Sequence, residues 1–219
     1  MNTAKIVAVT NPLIEGVDTA DQFIAYAARV SNPSNQMNKE TSEKLLKYCI
    51  RNKHFSVFEM VNVVMEIETT RDIARQVLRH RSFSFQEFSQ RYADPTKDLG
   101  FVTREARLQD NKNRQNSVEV EDNILQNEWY RSQQRVLFAV EREYKWAIDN
   151  GIAKEQARAV LPEGLTLSRL YMNGTLRSWI HFCELRMGNG TQKEHREVAT
   201  SAWNQLGVYF KFLTEPSAK

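Results

Sequence analysis

The stretch that decides the fold covers residues 61–92 and reads VNVVMEIETTRDIARQVLRHRSFSFQEFSQRY. In residues 61–68 apolar side chains alternate with others, and this two-residue period predicts a strand with one buried face. Residues 70–81 change to a helical pattern. In residues 79–92, cationic side chains lead into serines, phenylalanines and a tyrosine, a mixture that an ordinary solvated charge run would not carry. A strand followed directly by a helix indicates a chain of mixed α and β structure.

Further elements are predicted on both sides of this stretch. Short strands are predicted for residues 5–9 and 165–172. Helical periodicity covers the segments 18–31, with Asp18 as the N-cap, 39–54, 119–150, 154–162, 175–187 and 191–213. Residues 94–118 are polar and aperiodic except at 101–108, where an edge strand is the alternative, so we expect a mobile loop there. We therefore predict one α+β domain over residues 1–219, with long helices around a small, mostly antiparallel sheet.

Composition excludes several classes of protein. The 219 residues are 41% hydrophobic, contain no run of 18 apolar residues and begin without a signal-peptide pattern, so we expect a soluble, cytoplasmic protein with no membrane partner. Two cysteines are too few for a disulfide framework, and the four histidines are not at metal-ligand spacing, so no metal site is expected. Motifs for a Gly-rich phosphate loop, a zinc protease or a nucleophile elbow are absent from the sequence. An enzyme with this sequence would therefore use an organic cofactor.

The positive charge is concentrated in one place. The whole chain carries a formal charge of +3, and residues 71–92 contain five arginines against two acids, which accounts for all of it. Arginine binds phosphate and carboxylate groups through two parallel hydrogen bonds, which lysine cannot form. A net charge of +3 does not by itself identify a nucleic-acid-binding protein. We interpret the arginines as a local anion site.

Several interpretations of this segment are open. On a helix over 70–81, Arg71, Arg75 and Arg79 share one stripe. Acids could neutralise that stripe, and the candidates are Glu66, Glu68, Asp72 and Glu87. Alternatively, the arginines bind phosphate while nearby serines and rings contact the sugar and base of a nucleotide, and the same groups suit single-stranded RNA in a non-catalytic binding module. In a structural oligomer the arginines would pair with acids across subunits.

An ordered set of motifs decides between these interpretations. The triplet RHR at 79–81 is followed by seven residues and then Ser89, with QVL before the triplet and EFSQRY at the end of the stretch. The other motifs are HFSVFE at 54–59, ARAVLP at 157–162, LRSWIHFCELR at 176–186 and QxE at 192–194. In order and spacing this set resembles the flavin-dependent thymidylate synthases, and the resemblance covers residues 5–212.

The resemblance implies a complete reaction. Enzymes of this family methylate deoxyuridine monophosphate (dUMP) to thymidine monophosphate (dTMP). Methylenetetrahydrofolate supplies the one-carbon unit, and FAD that has been reduced by NADPH supplies the hydride. The resemblance further implies a homotetramer whose active sites are assembled between subunits, with no nucleic acid as a partner.

The resemblance also assigns residues by matching motif. The positions expected to bind dUMP are Gln76, Arg79, Glu87, Phe88, Ser89, Gln90, Arg91, Arg158 and Arg186. Those expected to bind FAD are Ser56, Glu59, Arg79, His80, Arg81, Glu87, Thr175, Arg177 and His181, and His54 is expected near the folate and the flavin. We expect Arg186 to be catalytic, because a cation beside the pyrimidine stabilises the negative charge that develops as nitrogen 3 ionises. Ser89 would need a base to act as a nucleophile, so we expect it to bind the phosphate, and we expect the phenylalanines to pack and hold the loop rigid.

Five positions depart from the pattern of the family. Thr175 and His181 stand where asparagine is frequent, and Gly190 stands where some relatives carry a flavin-contacting histidine. Gln86 occupies a position that is often asparagine, and His195 occupies one that is usually aliphatic. Two of these departures, Thr175 and His181, fall on expected flavin contacts, and Gly190 replaces a residue that contacts the flavin in some relatives.

Overall fold

An antiparallel sheet is at the centre of the computed structural model, which describes residues 2–213. Its four strands are β1 (Thr3–Val9), β2 (Asn62–Thr70), β3 (Ser84–Glu87) and β6 (Leu167–Thr175), in the order β1-β2-β6-β3. A separate hairpin consists of β4 (Arg107–Gln109) and β5 (Ser117–Glu119). The predicted α+β class with a small antiparallel sheet is therefore confirmed. The domain predicted over residues 1–219 includes residues 1 and 214–219, which lie outside the described residues.

The helices confirm most of the predicted helical segments, with shorter bounds. They are α1 (Ala20–Ala28), α2 (Ser42–Arg51), α3 (Arg71–Val77), α4 (Pro95–Asp98), α5 (Asn123–Asp149), α6 (Lys154–Ala157), α7 (Leu176–Arg186) and α8 (Lys193–Tyr209). Short 3-10 helices cover residues 33–35, 55–60 and 158–160. Helices α3, α7 and α8 contact the sheet and enclose the core with it.

The two-residue period of β2 produces the buried face of the sheet. Val63, Met65 and Ile67 are completely buried, whereas Glu66 between them lies on the opposite face. Each fully buried side chain of this kind contributes about 1.5–3 kcal/mol to folding. Trp179 of α7 closes the core, and its indole nitrogen donates a hydrogen bond to the carbonyl oxygen of Val63 at 2.9 Å.

The first helix begins one residue later than predicted. Thr19, not Asp18, is the N-cap of α1, and its hydroxyl accepts a hydrogen bond from the Gln22 amide at 3.4 Å. The amide of Asp18 donates to the side chain of Gln22 at 2.8 Å. The predicted Asp18 cap is wrong because Thr19 supplies the same kind of oxygen one residue later, while the side chain of Gln22 binds the amide of Asp18.

The segment 94–118 contains more regular structure than the predicted loop, namely α4 and the β4-β5 hairpin. The edge strand predicted for 101–108 is wrong, since strand pairing begins only at residue 107 and Phe101 makes an isolated bridge to Thr166, just before β6. Between these points the backbone finds side-chain partners. Arg104 exchanges two hydrogen bonds of 2.8 Å with the side-chain amide of Gln133 on α5. The mobility of the segment stays a prediction.

Helix α5 is the long helix predicted for the middle of the chain. Asp122 caps its first turn, and Gly151 follows its end with a φ of +76°, a conformation that favours glycine. Helix α5 exposes large rings on more than one side, with Trp129, Phe138 and Trp146 at 44%, 69% and 57% exposure. Within residues 2–213, no helix combines the length and the apolar character needed to cross a membrane.

Candidate active site

The ends of α3 and α7 are joined by two predicted site residues. Helix α3 ends at Val77, short of the predicted residue 81, and the chain turns there, with the His80 amide donating to the Val77 carbonyl at 3.1 Å. Arg186 is the last residue of α7, and its Nε donates a hydrogen bond to Nε2 of His80 at 2.9 Å. Because arginine has only donors, Nε2 of His80 carries the lone pair and the proton of the neutral ring is on Nδ1.

Burial and positive charge set the protonation states at this contact. Burial first, and then the charges of Arg186 and Arg79, lower the pKa of His80 to about 4. Burial and the charge of Arg79 also lower the pKa of Arg186. A neutral His80 can therefore hold Arg186 without adding a third positive charge beside two guanidinium groups. The net result is a concentrated positive charge that suits an anionic ligand.

A partly buried chain of hydrogen bonds adjoins this contact through His195, whose ring lies 6.2 Å from that of His80. His195 of α8 is 1% exposed, and its Nδ1 lies 3.2 Å from Oε1 of Gln76. Nε2 of Gln76 donates to Oε1 of Gln192 at 2.8 Å, and Nε2 of Gln192 donates to Glu194 at 2.9 Å. We name Gln76, His80 and Arg186 the Arg186 cluster. Motif matching assigns no role to the two neighbours of Gln76: Gln192 belongs to the QxE motif at 192–194, and His195 is one of the departures from the family pattern.

The arginine stripe is only partly open to a ligand. Glu87 accepts a hydrogen bond from Arg75, lies 3.6 Å from Arg71, and accepts a further bond of 2.8 Å from Ser168. The other candidate acids pair elsewhere, Glu66 and Glu68 with Arg169, and Asp72 with Arg104. Arg79 lies beyond the end of α3, is exposed, and has no acidic partner within residues 2–213. Neutralisation by acids thus holds for Arg71 and Arg75 and not for Arg79.

Predicted nucleotide-binding residues meet on either side of Glu155. Nη2 of Arg91 lies 3.4 Å from its carboxylate, and Nε of Arg158 donates to its backbone carbonyl at 3.2 Å. Oγ of Ser89 accepts a hydrogen bond from the Arg91 amide at 3.4 Å, and no basic side chain among residues 2–213 hydrogen-bonds to it. The structure therefore brings Ser89, Arg91 and Arg158 into one region and offers Ser89 no activating base.

The inner residues of the 79–92 stretch pack against the sheet. The ring of Phe83 lies 4.9 Å from that of Trp179, centroid to centroid, and directly over Gly174. The backbone amide of Phe88 donates to the strand β6. Gln90 is 4% exposed, and its Nε2 has no partner among the described residues. The packing expected of the phenylalanines is therefore observed for Phe83, and the rigidity of the loop stays a prediction.

A second group of predicted residues lines a cavity of about 570 Å³. Its wall contains three predicted residues and two aromatic rings, namely His54, Ser56, Arg177, Tyr48 and Phe55. Arg177 also forms an ion pair with Glu59, another predicted flavin contact, near the start of α7. A cation, a hydroxyl and ring surfaces in one cavity suit an aromatic ligand that carries phosphate.

The remaining predicted flavin contacts lie at the periphery of these groups. Oγ1 of Thr175 accepts a hydrogen bond from the Ser178 amide at 3.2 Å and caps α7. The side chain of His181 is 70% exposed, with its ring 6.1 Å from that of Phe55. Arg81 is exposed and makes no ion pair within residues 2–213. The structure therefore uses the Thr175 hydroxyl in a helix cap and leaves His181 and Arg81 at the surface.

Helix α7 connects the cavity with the Arg186 cluster. Arg177 near its start and Arg186 at its end are separated by about 13 Å along the helix axis. Both groups contain nitrogen donors and rings, and the cavity adds the hydroxyl of Ser56. In the part of the chain that the structure describes, no group of three or more His, Cys, Asp or Glu side chains is placed to hold a metal ion.

Comparison with known sequences gives consistent matches over most of the chain. Residues 12–209 match the family described as thymidylate synthase complementing protein. A probable flavin-dependent thymidylate synthase from Paramecium bursaria Chlorella virus 1 is 52% identical over 200 residues, which are 91% of this chain and 91% of that protein. The flavin-dependent thymidylate synthase of Synechocystis sp. is 48% identical over 202 residues, covering 90% of this chain and 91% of that protein.

The fold also has a solved counterpart. The UMP/dUMP methylase PolB from Streptomyces cacaoi, bound with 5-Br dUMP, matches with a TM-score of 0.76 and 26% identity over 96% of this chain and 91% of PolB. The family match covers well over half of the chain, and two relatives are far above 30% identity. The chain therefore belongs to the family of the flavin-dependent thymidylate synthases.

Proposed function

We propose that the Arg186 cluster is where this enzyme methylates the pyrimidine ring of dUMP. Membership of the family makes the chain a methyltransferase that forms dTMP and depends on FAD. The observation that carries the placement is the bond from Arg186 to a neutral His80 beside Gln76 and Arg79. The alternative of a non-catalytic RNA-binding module receives no support from the relatives.

Arg186 is suited to the pyrimidine because only one end of its guanidinium group is engaged. Its Nε is bound to His80, while its terminal nitrogens have no hydrogen-bond partner within residues 2–213. A guanidinium group that is held on one side places a fixed positive charge beside a ligand on the other. As nitrogen 3 of uracil ionises, this charge stabilises the ring, and carbon 5 becomes nucleophilic enough to bond to the one-carbon unit.

Ser89, Arg91 and Arg158 bind the phosphate of dUMP in this proposal. The side chains of the Arg91–Glu155 pair are 55% and 49% exposed, so the ion pair contributes little and phosphate can replace the carboxylate. Arginine also forms bidentate bonds with phosphate. Ser89, which has no base beside it, adds a hydroxyl donor.

The cavity at the start of α7 fits FAD. Arg177 offers a cation for a phosphate group, Ser56 offers a hydroxyl, and Tyr48 and Phe55 offer apolar faces. FAD, when bound and reduced by NADPH, supplies the hydride for the reaction. His54 lies in the same wall, and in this proposal it contacts the folate that carries the one-carbon unit. The side chains of this enzyme thus bind and orient the reactants, and none of them needs to form a covalent bond to dUMP.

A homotetramer with shared active sites is part of the proposal. Within residues 2–213, no hydrogen bond or ion pair joins Arg158 to the Arg186 cluster, so a neighbouring subunit is the natural source of the missing groups. The exposed rings of α5, including Trp129 and Phe138, are suited to contact between subunits. Since dUMP, folate and NADPH are charged metabolites that do not cross membranes unaided, we place the reaction in the cytoplasm.

Two measurements on the purified protein test this function. We expect a yellow protein with flavin absorbance, and release of tritium from carbon-5-labelled dUMP only when methylenetetrahydrofolate and NADPH are both present. A protein that stays colourless after incubation with FAD, or that releases no tritium, contradicts the proposal. Light scattering measures the mass of the assembly independently and tests the tetramer.

A further inference from the structure

The direction of each hydrogen bond beside the Arg186 cluster follows from Glu194. Its carboxylate can only accept, and Arg107 donates to one of its oxygens. Gln192 must therefore point its NH₂ group at Glu194, which leaves its carbonyl oxygen for Gln76. Gln76 in turn uses its NH₂ group on Gln192, so its own carbonyl oxygen faces His195. Because a carbonyl oxygen only accepts, Nδ1 of His195 must carry the proton.

His195 is neutral in this arrangement, and its tautomer is fixed. Burial first, and then the charges of Arg186 and His80, lower its pKa to about 3. Its Nε2 atom is buried and has no partner among residues 2–213, so no second hydrogen bond competes with the one to Gln76. The donor on Nδ1 is therefore kept for the Gln76 carbonyl.

The consequence concerns the side chain that reaches the nucleotide. After its bonds to His195 and Gln192, the amide of Gln76 keeps one N–H and one lone pair free. A rotation of the amide by half a turn would exchange these two positions and present a donor where an acceptor is needed. We propose that His195 is a positioning residue, which fixes the orientation of the Gln76 amide toward dUMP. This inference rests on the proposed function of the Arg186 cluster.

Two substitutions at His195 separate the hydrogen bond from packing. His195→Asn retains an N–H donor near the position of Nδ1, whereas His195→Leu retains comparable bulk without a donor. With FAD-loaded enzyme and isothermal titration of dUMP, we expect the leucine variant to bind about tenfold more weakly, which is the size of effect of one lost buried hydrogen bond. The asparagine variant should stay within about threefold of the parent enzyme. The KM for dUMP should rise in the leucine variant more than kcat falls.

Equal affinity in the leucine variant and the parent enzyme overturns the proposal, and so does an equal loss in both variants, which would indicate a packing defect. If His195→Leu does not fold, as judged by its Tm and FAD content, Gln192→Met breaks the same chain on the other side of Gln76 and must weaken dUMP binding similarly. Arg186→Ala in the same titration tests the site itself. Unchanged dUMP binding in Arg186→Ala contradicts the proposed function, whereas a loss there with normal binding in His195→Leu contradicts only the role of His195.

Discussion

Nε of Arg186 donates a hydrogen bond to Nε2 of His80 across 2.9 Å, although the two residues are 106 positions apart in the sequence. This bond joins the end of α7 to the turn that follows α3. It fixes the tautomer of His80 and directs the free side of the guanidinium group away from the histidine. The side chains of His80 and Arg186 are both partly buried. A neutral His80 is therefore a better partner for Arg186 than a protonated one, because it adds no charge repulsion.

The first prediction concerns Arg186 itself. Arg186→Ala should lower kcat at least about a hundredfold, because it removes a charge that acts on the transition state. The Tm and the assembly should change little, since one hydrogen bond to His80 is lost. Tritium release at saturating dUMP measures the effect. Arg186→Lys, which keeps the charge and loses the planar fork, should show an intermediate loss; full turnover in the alanine variant would remove the catalytic assignment.

Ser89→Ala should retain turnover. The hydroxyl accepts only the Arg91 amide and has no base within the described residues, so its removal should raise the KM for dUMP by roughly fivefold, as for one lost hydrogen bond to a ligand. Steady-state kinetics with varied dUMP measures this. Complete loss of kcat with intact dUMP binding would instead support a nucleophilic serine.

His80 predicts a dependence of stability on pH. A histidine in the unfolded chain titrates near 6.5, whereas the pKa of folded His80 is about 4. Between these values the unfolded state binds more protons, so the free energy of unfolding should rise as pH increases from about 4 to 6.5. His80→Gln offers Arg186 an uncharged acceptor. The slope of the unfolding free energy against pH should therefore decrease, at most by the contribution of one proton. Arg79, Arg186 and His195 face residue 80 in both proteins. If urea denaturation at several pH values gives equal slopes for the parent protein and His80→Gln, the prediction is wrong.

Glu87 should stabilise the fold through Arg71 and Arg75. The side chains of Glu87 and Arg71 are 15% and 12% exposed, so Glu87→Gln removes the buried carboxylate beside a largely buried cation and leaves it only the exposed Glu163. The expected loss is about 1–3 kcal/mol of unfolding free energy in urea denaturation. Glu163→Gln is the matched control, because Glu163 contacts the same Arg71 with a 55% exposed side chain, and it should cost less than about 1 kcal/mol. A larger loss in the control would mean that Glu87 is not the main partner.

The spacing of apolar residues predicts the fold correctly where it matches the buried face of an element, as in β2 and α5. It fails where the partner of the backbone is a distant side chain, as for Arg104, whose backbone is bound by Gln133. The candidate site shows the same contrast between local patterns and distant partners. Motifs identified Arg186 and His80, but the role of His195 depends on Gln76, which is 119 positions away, and on amide orientations that no single-residue pattern contains.

The last prediction tests how the 79–92 stretch is held on the sheet. A Cβ atom on Gly174 would lie 2.3 Å from Cδ1 of Phe83. The ring cannot easily withdraw, because Trp179 and Phe182 lie 4.9 and 6.1 Å from it, centroid to centroid. Gly174→Ala should therefore lower the free energy of unfolding by about 1–3 kcal/mol, as overpacking does.

The displaced Phe83 should also move the neighbouring His80, so the KM for dUMP should rise in Gly174→Ala together with the loss of stability. Gly190→Ala is the matched control, since nothing lies within 4 Å of a Cβ at that position, and its change in stability should stay within about 0.5 kcal/mol. Combining Gly174→Ala with Phe83→Leu should recover part of the lost stability, because the smaller side chain relieves the clash. Equal stability of the two alanine variants in urea would show that Phe83 is free to move, and the stretch would then not be fixed by this contact.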